Sequence, residues 1–407
     1  MKFKPSLLKT AIAGALALIG GAASAQYTDG VIKIGVLNDQ SGLYADITGQ
    51  GSVWAARKAV EDFGAAAKGM KVEILVGDHQ NKPDIGSNIA RQWIDVDKVD
   101  AIADVPTSSV GLAVNTIIRE KNKVYLNSGS ATSDLTNKAC SPNTVHWAYD
   151  TVMLSKGTGQ AMVKTGGDTW FFLTADYAFG QALERDTEAV VVANGGKVVG
   201  KVRHPFPGQD FSSFLLQAQA SKAKVIGLAN AGGDTINSIK QAAEFGITRG
   251  GQNLAGLLVF ITDIHSLGLQ TAQGLVLTES FYWDLNDNTR AFSREFAAAN
   301  KGRMPSMVQA GVYASVIHYL KAVEALKSDA DGVKVVDKMK EMPTDDRLFG
   351  KGSIRVDGRK MHDAYLFEVK KPSESKGAWD YYKLRATIPA NEAFRPLSQS
   401  ECPLVKK

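Results

Sequence analysis

The sequence predicts an α/β protein of two parallel-sheet lobes joined by a hinge. Three observations lead there. Short apolar runs alternate with helix-period stretches from residue 31 to residue 126, a β-α-β-α-β-α-β order that calls for a largely parallel sheet covered on both faces. The same rhythm restarts near Thr169. Two further helical stretches, about 289–300 and 311–326, need a sheet to cover, and the first unit supplies one if the chain crosses back. With 407 residues, 44% of them hydrophobic and 22% charged, the chain suffices for two such units and lies far from collagen-like or disordered compositions.

The first 25 residues read as a secretory signal. Lys2, Lys4 and Lys9 make a positive start, residues 10–21 are a short apolar stretch, and Ala23-Ser24-Ala25 is a small-residue cleavage box. The stretch is short for an uncleaved membrane anchor. Cleavage before Gln26 leaves 382 residues and, with three lysines gone, a net charge of +2 in place of +5. Export implies an oxidising compartment, and the only two cysteines, Cys140 and Cys402, are each other's sole intrachain partner. Their bridge would pin the C-terminal tail to the middle of the chain; two isolated thiols are the alternative.

In the body, residues 31–37 form the first strand and run into Asn38-Asp39-Gln40-Ser41-Gly42. From Gly51, Val53, Ala56, Val60 and Phe63 fall on one helical face. Val72, Ile74 and Val76 alternate as a second strand, and Pro83 opens the next helix in its first turn, where a missing amide costs nothing. Residues 101–105 and 124–126 are the third and fourth strands, with a helix over 110–120 between them. The second unit reads as strand 170–173, helix 180–194, strand 198–202, a helical stripe of Phe211, Phe214, Leu215 and Ala218, strand 225–228, helix 235–245 and strand 257–260. The expected division is a signal over 1–25, lobe 1 over 27–147, lobe 2 over 148–275, a return to lobe 1 over 276–350, a return to lobe 2 and the hinge over 351–395, and a tail over 396–407. Several crossings of this kind allow two lobes to close over something small.

Ligands of open parallel sheets bind beyond the carboxyl ends of the strands. There the sequence places Ser41 and Tyr44, then Thr107 and Ser108, then Ser130 and Thr132, then Tyr177 and Phe179, with Tyr282 and Trp283 near the later crossing. Hydroxyls and free amides at helix starts accept a carboxylate without a buried cation, although each hydroxyl alone also reads as a cap. The rings supply a flat apolar wall. Trp54 also reads as helix packing, and Asp176 and Asp284 as capping or hinge residues. Catalytic signatures are missing: there is no G-x-S-x-G, no H-E-x-x-H and no Walker A, and Gly49-Gln50-Gly51 departs from a dinucleotide fingerprint at Trp54. The six histidines, at 79, 146, 204, 265, 318 and 362, have no metal-ligand spacing, and no basic stripe marks a nucleic-acid binder. No cofactor, metal or catalytic residue is expected.

Ile34-Gly35-Val36 with Ser41-Gly42, residues 105–109, 128–136 and 176–180, Asp210-Phe211-Ser212 and residues 272–275 together resemble the branched-chain amino acid-binding (Leu/Ile/Val) family of type I periplasmic binding proteins in ABC uptake systems. The resemblance implies two Rossmann-like lobes, three crossovers, ligand capture by closure without chemistry, and delivery to an inner-membrane permease with cytoplasmic ATPases, from a periplasmic monomer. It carries the carboxylate-binding hydroxyls onto Thr107, with Ser108 beside it, and onto Ser130 and Thr132. It carries the closing aromatic residue onto Phe179, with Tyr177 as a further hydroxyl. One departure matters. Amino acid binders hold the ammonium with an acid after a later strand of lobe 2, and residues 257–263 offer no Glu and only Asp263, after a loop shift. Together with residues 128–150 and 281–284, this points toward the aromatic-carboxylate subgroup. Branched-chain amino acid or amide binding, a ligand-presenting sensor and an exported enzyme are the alternatives.

Overall fold

The computed structural model describes residues 27–406 together with Met1, so the expected signal segment lies outside the described residues. Lobe 1 opens with β1 (Ile32–Asn38), α1 (Gly49–Phe63), β2 (Val72–Asp78), α2 (Pro83–Asp95), β3 (Ala101–Asp104), α3 (Ser108–Glu120) and β4 (Val124–Asn127), and adds β5 (Thr144–His146). All pairings are parallel, in the order β2-β1-β3-β4-β5. The central strands are buried except at Lys33, as apolar runs in a sheet covered on both faces must be.

Trp147–Asp150 carry the chain out of lobe 1 into a helix that begins as α4 (Thr151–Leu154), passes a wide π turn at Ser155–Gly159 and ends as α5 (Gln160–Lys164). Lobe 2 then runs β6 (Thr169–Ala175), α6 (Ala178–Ala193), β7 (Lys197–His204), α7 (Ser212–Ala220), β8 (Val225–Ala229), α8 (Gly233–Glu244) and β9 (Asn253–Gly256), with sheet order β7-β6-β8-β9, again parallel. The last strand differs from the expected 257–260. Those four apolar residues are buried because they enter the floor of the cleft and lead into α9 (Ile261–Leu267), so their hydrophobicity reports burial and not extension.

After α10 (Leu269–Ala272), β10 (Val276–Glu279) stays with lobe 2: it pairs antiparallel with a later strand, and Leu277 joins the same buried cluster as Phe171 and Leu228. The return to lobe 1 therefore starts after β10 and not at residue 276. It consists of α11 (Asp287–Ala299), α12 (Met307–Leu326) and α13 (Gly332–Glu341), of which α12 packs on α1 and on β3 and β4. Ser306 caps α12 through the Gln309 amide, and Gln309 reciprocates, so the helix starts four residues before the periodicity alone placed it.

A small antiparallel sheet, β11 (Thr344–Asp346), β12 (Gly350–Ile354) and β13 (Lys360–Met361), lies at the hinge, and β14 (Ala364–Val369) and β15 (Tyr382–Ile388) complete the sheet with β10. The buried Arg359 guanidinium donates to the Trp147 carbonyl and faces Asp150 at 3.4 Å, stitching two crossing segments together. Short α14 (Ala390–Ala393) precedes a tail tied by a disulfide between Cys140 and Cys402. No helix of the described residues is long and apolar enough to cross a membrane.

Candidate functional site

In lobe 1 the strand order reverses between β1 and β3, and in lobe 2 between β6 and β8. At such a switch point the loops leaving adjacent strands part in opposite directions and open a crevice. The two crevices face each other. Between them lies a cavity of about 10 Å³ lined by Tyr44 and Ile47 after β1, Pro106 after β3, Ala131 after β4, Tyr149 from the first crossing, Tyr177 and Phe179 after β6, Ala231 after β8 and Leu258 after β9. That is about the room of one water molecule and far below the ~300–1,000 Å³ common for drug-sized ligands. Among the described residues, none that line it is charged.

Tyr44 is held by its loop. Buried Asp39 accepts from the Gly42 and Tyr44 amides at 2.7 and 2.8 Å and from Asn81 Nδ2 at 2.6 Å. Across the cleft the Tyr44 and Tyr177 hydroxyls meet at 2.6 Å, a direct bond between lobes. Burial raises both phenols well above their ordinary range, so they stay protonated and act as neutral donors. Gly232, at φ 57°, approaches so closely that a Cβ would stand 2.9 Å from the Leu43 carbonyl oxygen; only glycine allows the lobes to meet there.

The end of β3 is strained. Asp104 and Val105 are consecutive non-glycine residues at φ 78° and 55°, a conformation costly for a β-branched side chain. It persists because neighbouring strands hold it: the Val105 amide donates to Leu37, the Gly129 amide to Asp104, the Ser130 hydroxyl to the Val105 carbonyl at 2.5 Å, and Asn38 to one oxygen of the Asp104 carboxyl at 2.9 Å. Burial pushes that carboxyl up to about 7, with Ser52 and Asn38 pulling against it. The bend places Pro106 on the cavity and starts α3 directly behind it. Its first helical bond is Gly111 N to Thr107 O at 2.9 Å, which leaves the Ser108, Ser109 and Val110 amides ahead of the ladder.

The hydroxyls divide by what they have done with their protons. Thr107 donates to Asn81 Oδ1 at 2.5 Å and Ser130 to Val105, so both protons are spent on holding loops. Ser108 accepts from the Thr132 amide at 3.2 Å, and Thr132 accepts from the Asp134 amide at 3.3 Å; each keeps its own O–H to give. Ser41 is exposed and donates to Asp78 at 2.9 Å, on the rim and not in the cavity. Tyr282 and Trp283 are not brought to the cavity either. Both bond the Trp379 carbonyl, at 3.2 and 2.7 Å, and Tyr282 packs on Phe367 and Tyr382, because β10 stays in lobe 2 and carries them into its core. Trp54 packs on Phe292 and Phe296. Asp176 and Asp284 pair with Arg203 and Arg290, and His79 and His146 are buried within lobe 1.

Ile47, Pro106, Ala131, Tyr149, Ala231 and Leu258 line the cavity without having drawn notice as site residues. Pro106, Ala131, Ala231 and Leu258 follow strand ends, and position there was the available signal; Tyr149 comes from the crossing and carries no local one. Asp263, the one acid of residues 257–263, accepts from the Phe260 amide at 2.9 Å and caps its own helix, and burial pushes it up to about 7. Among the described residues no group of three or more His, Cys, Asp or Glu is placed to hold a metal.

Comparison with known proteins gives a concordant picture. A family model described as periplasmic binding protein matches residues 31–378. The crystal structure of a periplasmic binding protein from Burkholderia mallei is 54% identical, covers 93% of this chain and 100% of that one, and superposes with a TM-score of 0.90. A branched-chain amino acid ABC transporter periplasmic ligand-binding protein of Burkholderia xenovorans is 41% identical, covering 92% and 100%, at a TM-score of 0.82. A solute-binding protein of R. palustris in complex with benzoate shares the fold at 22% identity, covering 89% and 97%, with a TM-score of 0.79.

Proposed function

The chain belongs to the periplasmic binding protein family, the solute-binding components of ABC transporters that bind small ligands and deliver them to a membrane permease, and from that premise we propose that its solute is a small aromatic carboxylate. The observation that supports this reading is an uncharged cavity walled by Tyr44, Tyr149, Tyr177 and Phe179, whose wall residues Pro106 and Ala131 are followed in the chain by the free amides of α3 and by Thr132. In this reading the carboxylate lies at the start of α3, taking bonds from the Ser108 and Thr132 hydroxyls and from amides of residues 108–110. Tyr149, Tyr177, Phe179 and Leu258 cover the ring. Thr107 and Ser130 hold the seat's loops in place, and Tyr44 closes it from lobe 1. Contacts from both lobes favour the closed state, and no bond is made or broken in the ligand.

The second reading, a branched-chain amino acid, is favoured by the 41% identical relative's description. It requires an anion for the ammonium. Asp263 is spent on its cap and Glu279 bonds Tyr382 inside lobe 2; Asp234 takes the Gly208 amide on one oxygen and keeps the other buried and unpartnered, with burial pushing the carboxyl up to about 7 and so toward the neutral form. A buried ammonium without a partner costs several kcal/mol. Export by residues 1–25 with cleavage after Ala25, and a monomeric state, belong to the same proposal; intact mass of the secreted protein and its sedimentation check them. Calorimetry with benzoate, 4-hydroxybenzoate, a straight-chain aliphatic acid and leucine decides the ligand class. Binding of the aromatic acids well ahead of leucine is expected, and tight leucine binding with no response to either aromatic acid overturns the proposal.

A further inference from the structure

Phe206 escaped notice in the sequence, and it does not line the cavity. It sits in the loop after β7, half-buried, and stacks on Tyr177 with ring centroids 4.1 Å apart and planes within 19°. On its other contact it meets Tyr44 of lobe 1, 5.9 Å between centroids and 27° between planes. Tyr44 and Tyr177 are the two residues whose hydroxyls join across the cleft. The loop that carries Phe206 is fixed beyond the ring: the Gly208 amide donates to the Asp234 carboxyl at 3.0 Å and the Phe211 amide to Gln241 Oε1 at 2.8 Å. His204, at the loop's start, bonds the Pro205 carbonyl and approaches Asn230.

We propose that Phe206 is a positioning residue that holds Tyr177 against Tyr44 and thereby sets how long the closed complex lasts. The proposal rests on ligand capture between the lobes. Its logic follows from which contacts survive opening. Phe206 and Tyr177 both belong to lobe 2, so their stack persists in either state. The contact with Tyr44 and the Tyr44–Tyr177 hydrogen bond exist only when the lobes are closed. Removing the Phe206 ring therefore costs the closed state an interlobe aromatic contact and leaves Tyr177 unbacked, while the path by which ligand enters the open cleft is unchanged. One aromatic contact of this kind shifts an equilibrium by about two- to tenfold, and the effect falls on dissociation.

The test is stopped-flow binding of benzoate, 4-hydroxybenzoate and leucine to the mature protein and to Phe206→Ala, Phe206→Leu and Phe206→Tyr. Phe206→Ala is expected to raise the dissociation rate about fivefold to tenfold, with the association rate within about twofold and the ligand-free melting temperature within a few degrees. Phe206→Tyr restores the wild-type rate, and Phe206→Leu, which keeps bulk but not the ring, does not. An unchanged dissociation rate, or equal losses in Leu and Tyr variants together with a lowered melting temperature, overturns the proposal, since a purely structural role would produce the latter. If the wild-type protein binds none of the three probes, the reading of the ligand class fails separately. Single-molecule fluorescence transfer across the cleft of the ligand-free protein then decides: closed excursions that shorten in Phe206→Ala support the role, and an unchanged closed lifetime refutes it.

Discussion

Replacing Asp104 by Asn removes a carboxyl that folding keeps protonated. Asp104 is completely buried at the end of β3 and takes a hydrogen bond from Asn38. Burial pushes it from an ordinary 3.8 up to about 7. Between those values the unfolded chain has released a proton that the folded protein retains. Stability from this group is therefore fully present below pH 4, falls as the pH rises through neutrality, and levels off above about 7. Each pH step in that window costs about 1.4 kcal/mol, so the accumulated loss is on the order of 4 kcal/mol. Asn does not titrate. Denaturant unfolding of wild type and Asp104→Asn at closely spaced pH values from 4 to 8.5 measures the difference directly. Asp100, Asp234, Asp263 and Glu279, also raised by burial, titrate in both proteins and cancel in that difference. The wild-type curve should fall relative to the variant by about 4 kcal/mol across the window and run parallel outside it. A difference independent of pH refutes the protonated carboxyl. The functional consequence is local: below about pH 7 Asp104 keeps its proton and puts no negative charge near the proposed carboxylate seat, and above it that charge appears.

Three further outcomes are expected. Ala131→Leu pushes a larger side chain into a cavity of only about 10 Å³, so calorimetry should show affinity reduced more than roughly tenfold and overpacking should destabilise the closed form by about 1–3 kcal/mol; retained affinity places the ligand elsewhere. Cys140→Ser with Cys402→Ser opens a link across 262 positions, for which chain entropy alone gives an upper figure of roughly 5–6 kcal/mol. Asn137 still bonds Glu401 twice, at 2.8 and 2.6 Å, and keeps the tail near its place; unfolding should show a loss of about 2–4 kcal/mol, and a loss under about 1 kcal/mol contradicts the expectation. Asp186→Ala strands Ser133 and Thr151, which donate to it at 2.7 and 2.6 Å, and frees Arg395 at 3.4 Å. Because these groups join α6 to lobe 1 and to the tail, a destabilisation of about 3 kcal/mol is expected in denaturant unfolding, with Asp186→Asn between it and wild type.

Much of the architecture was legible. β1, β3, β6 and β8 stand out as apolar runs because both faces of each sheet are covered, α1 because one side meets the lobe, and α12 because it is buried nearly all round between α1, α13 and the lobe 1 sheet. What escaped has a common cause. β5 is three residues long, β10 four, and β14 and β15, which pair antiparallel with it on lobe 2, are only partly buried, so the pattern weakens. The run at 257–260 is apolar for the cleft floor and not for a strand, a distinction that hydrophobicity cannot make.

Taken alone, the amino-acid order determined the two parallel lobes, the single disulfide partner for each cysteine, and the strand-end loops that supply most of the cavity lining, because periodicity and composition report local burial. Only the tertiary structure decided which hydroxyls of those loops still hold a proton to donate, that Asp263 is spent on a cap, that Tyr282 and Trp283 turn into the lobe 2 core, and that Tyr44, Tyr177 and Phe206 meet. Apart from the local bonds of Asp263 to Phe260 and of Thr132 to Asp134, these depend on partners tens to hundreds of residues away, and a hydrogen bond or a ring contact is chosen by proximity in space, which no local pattern encodes.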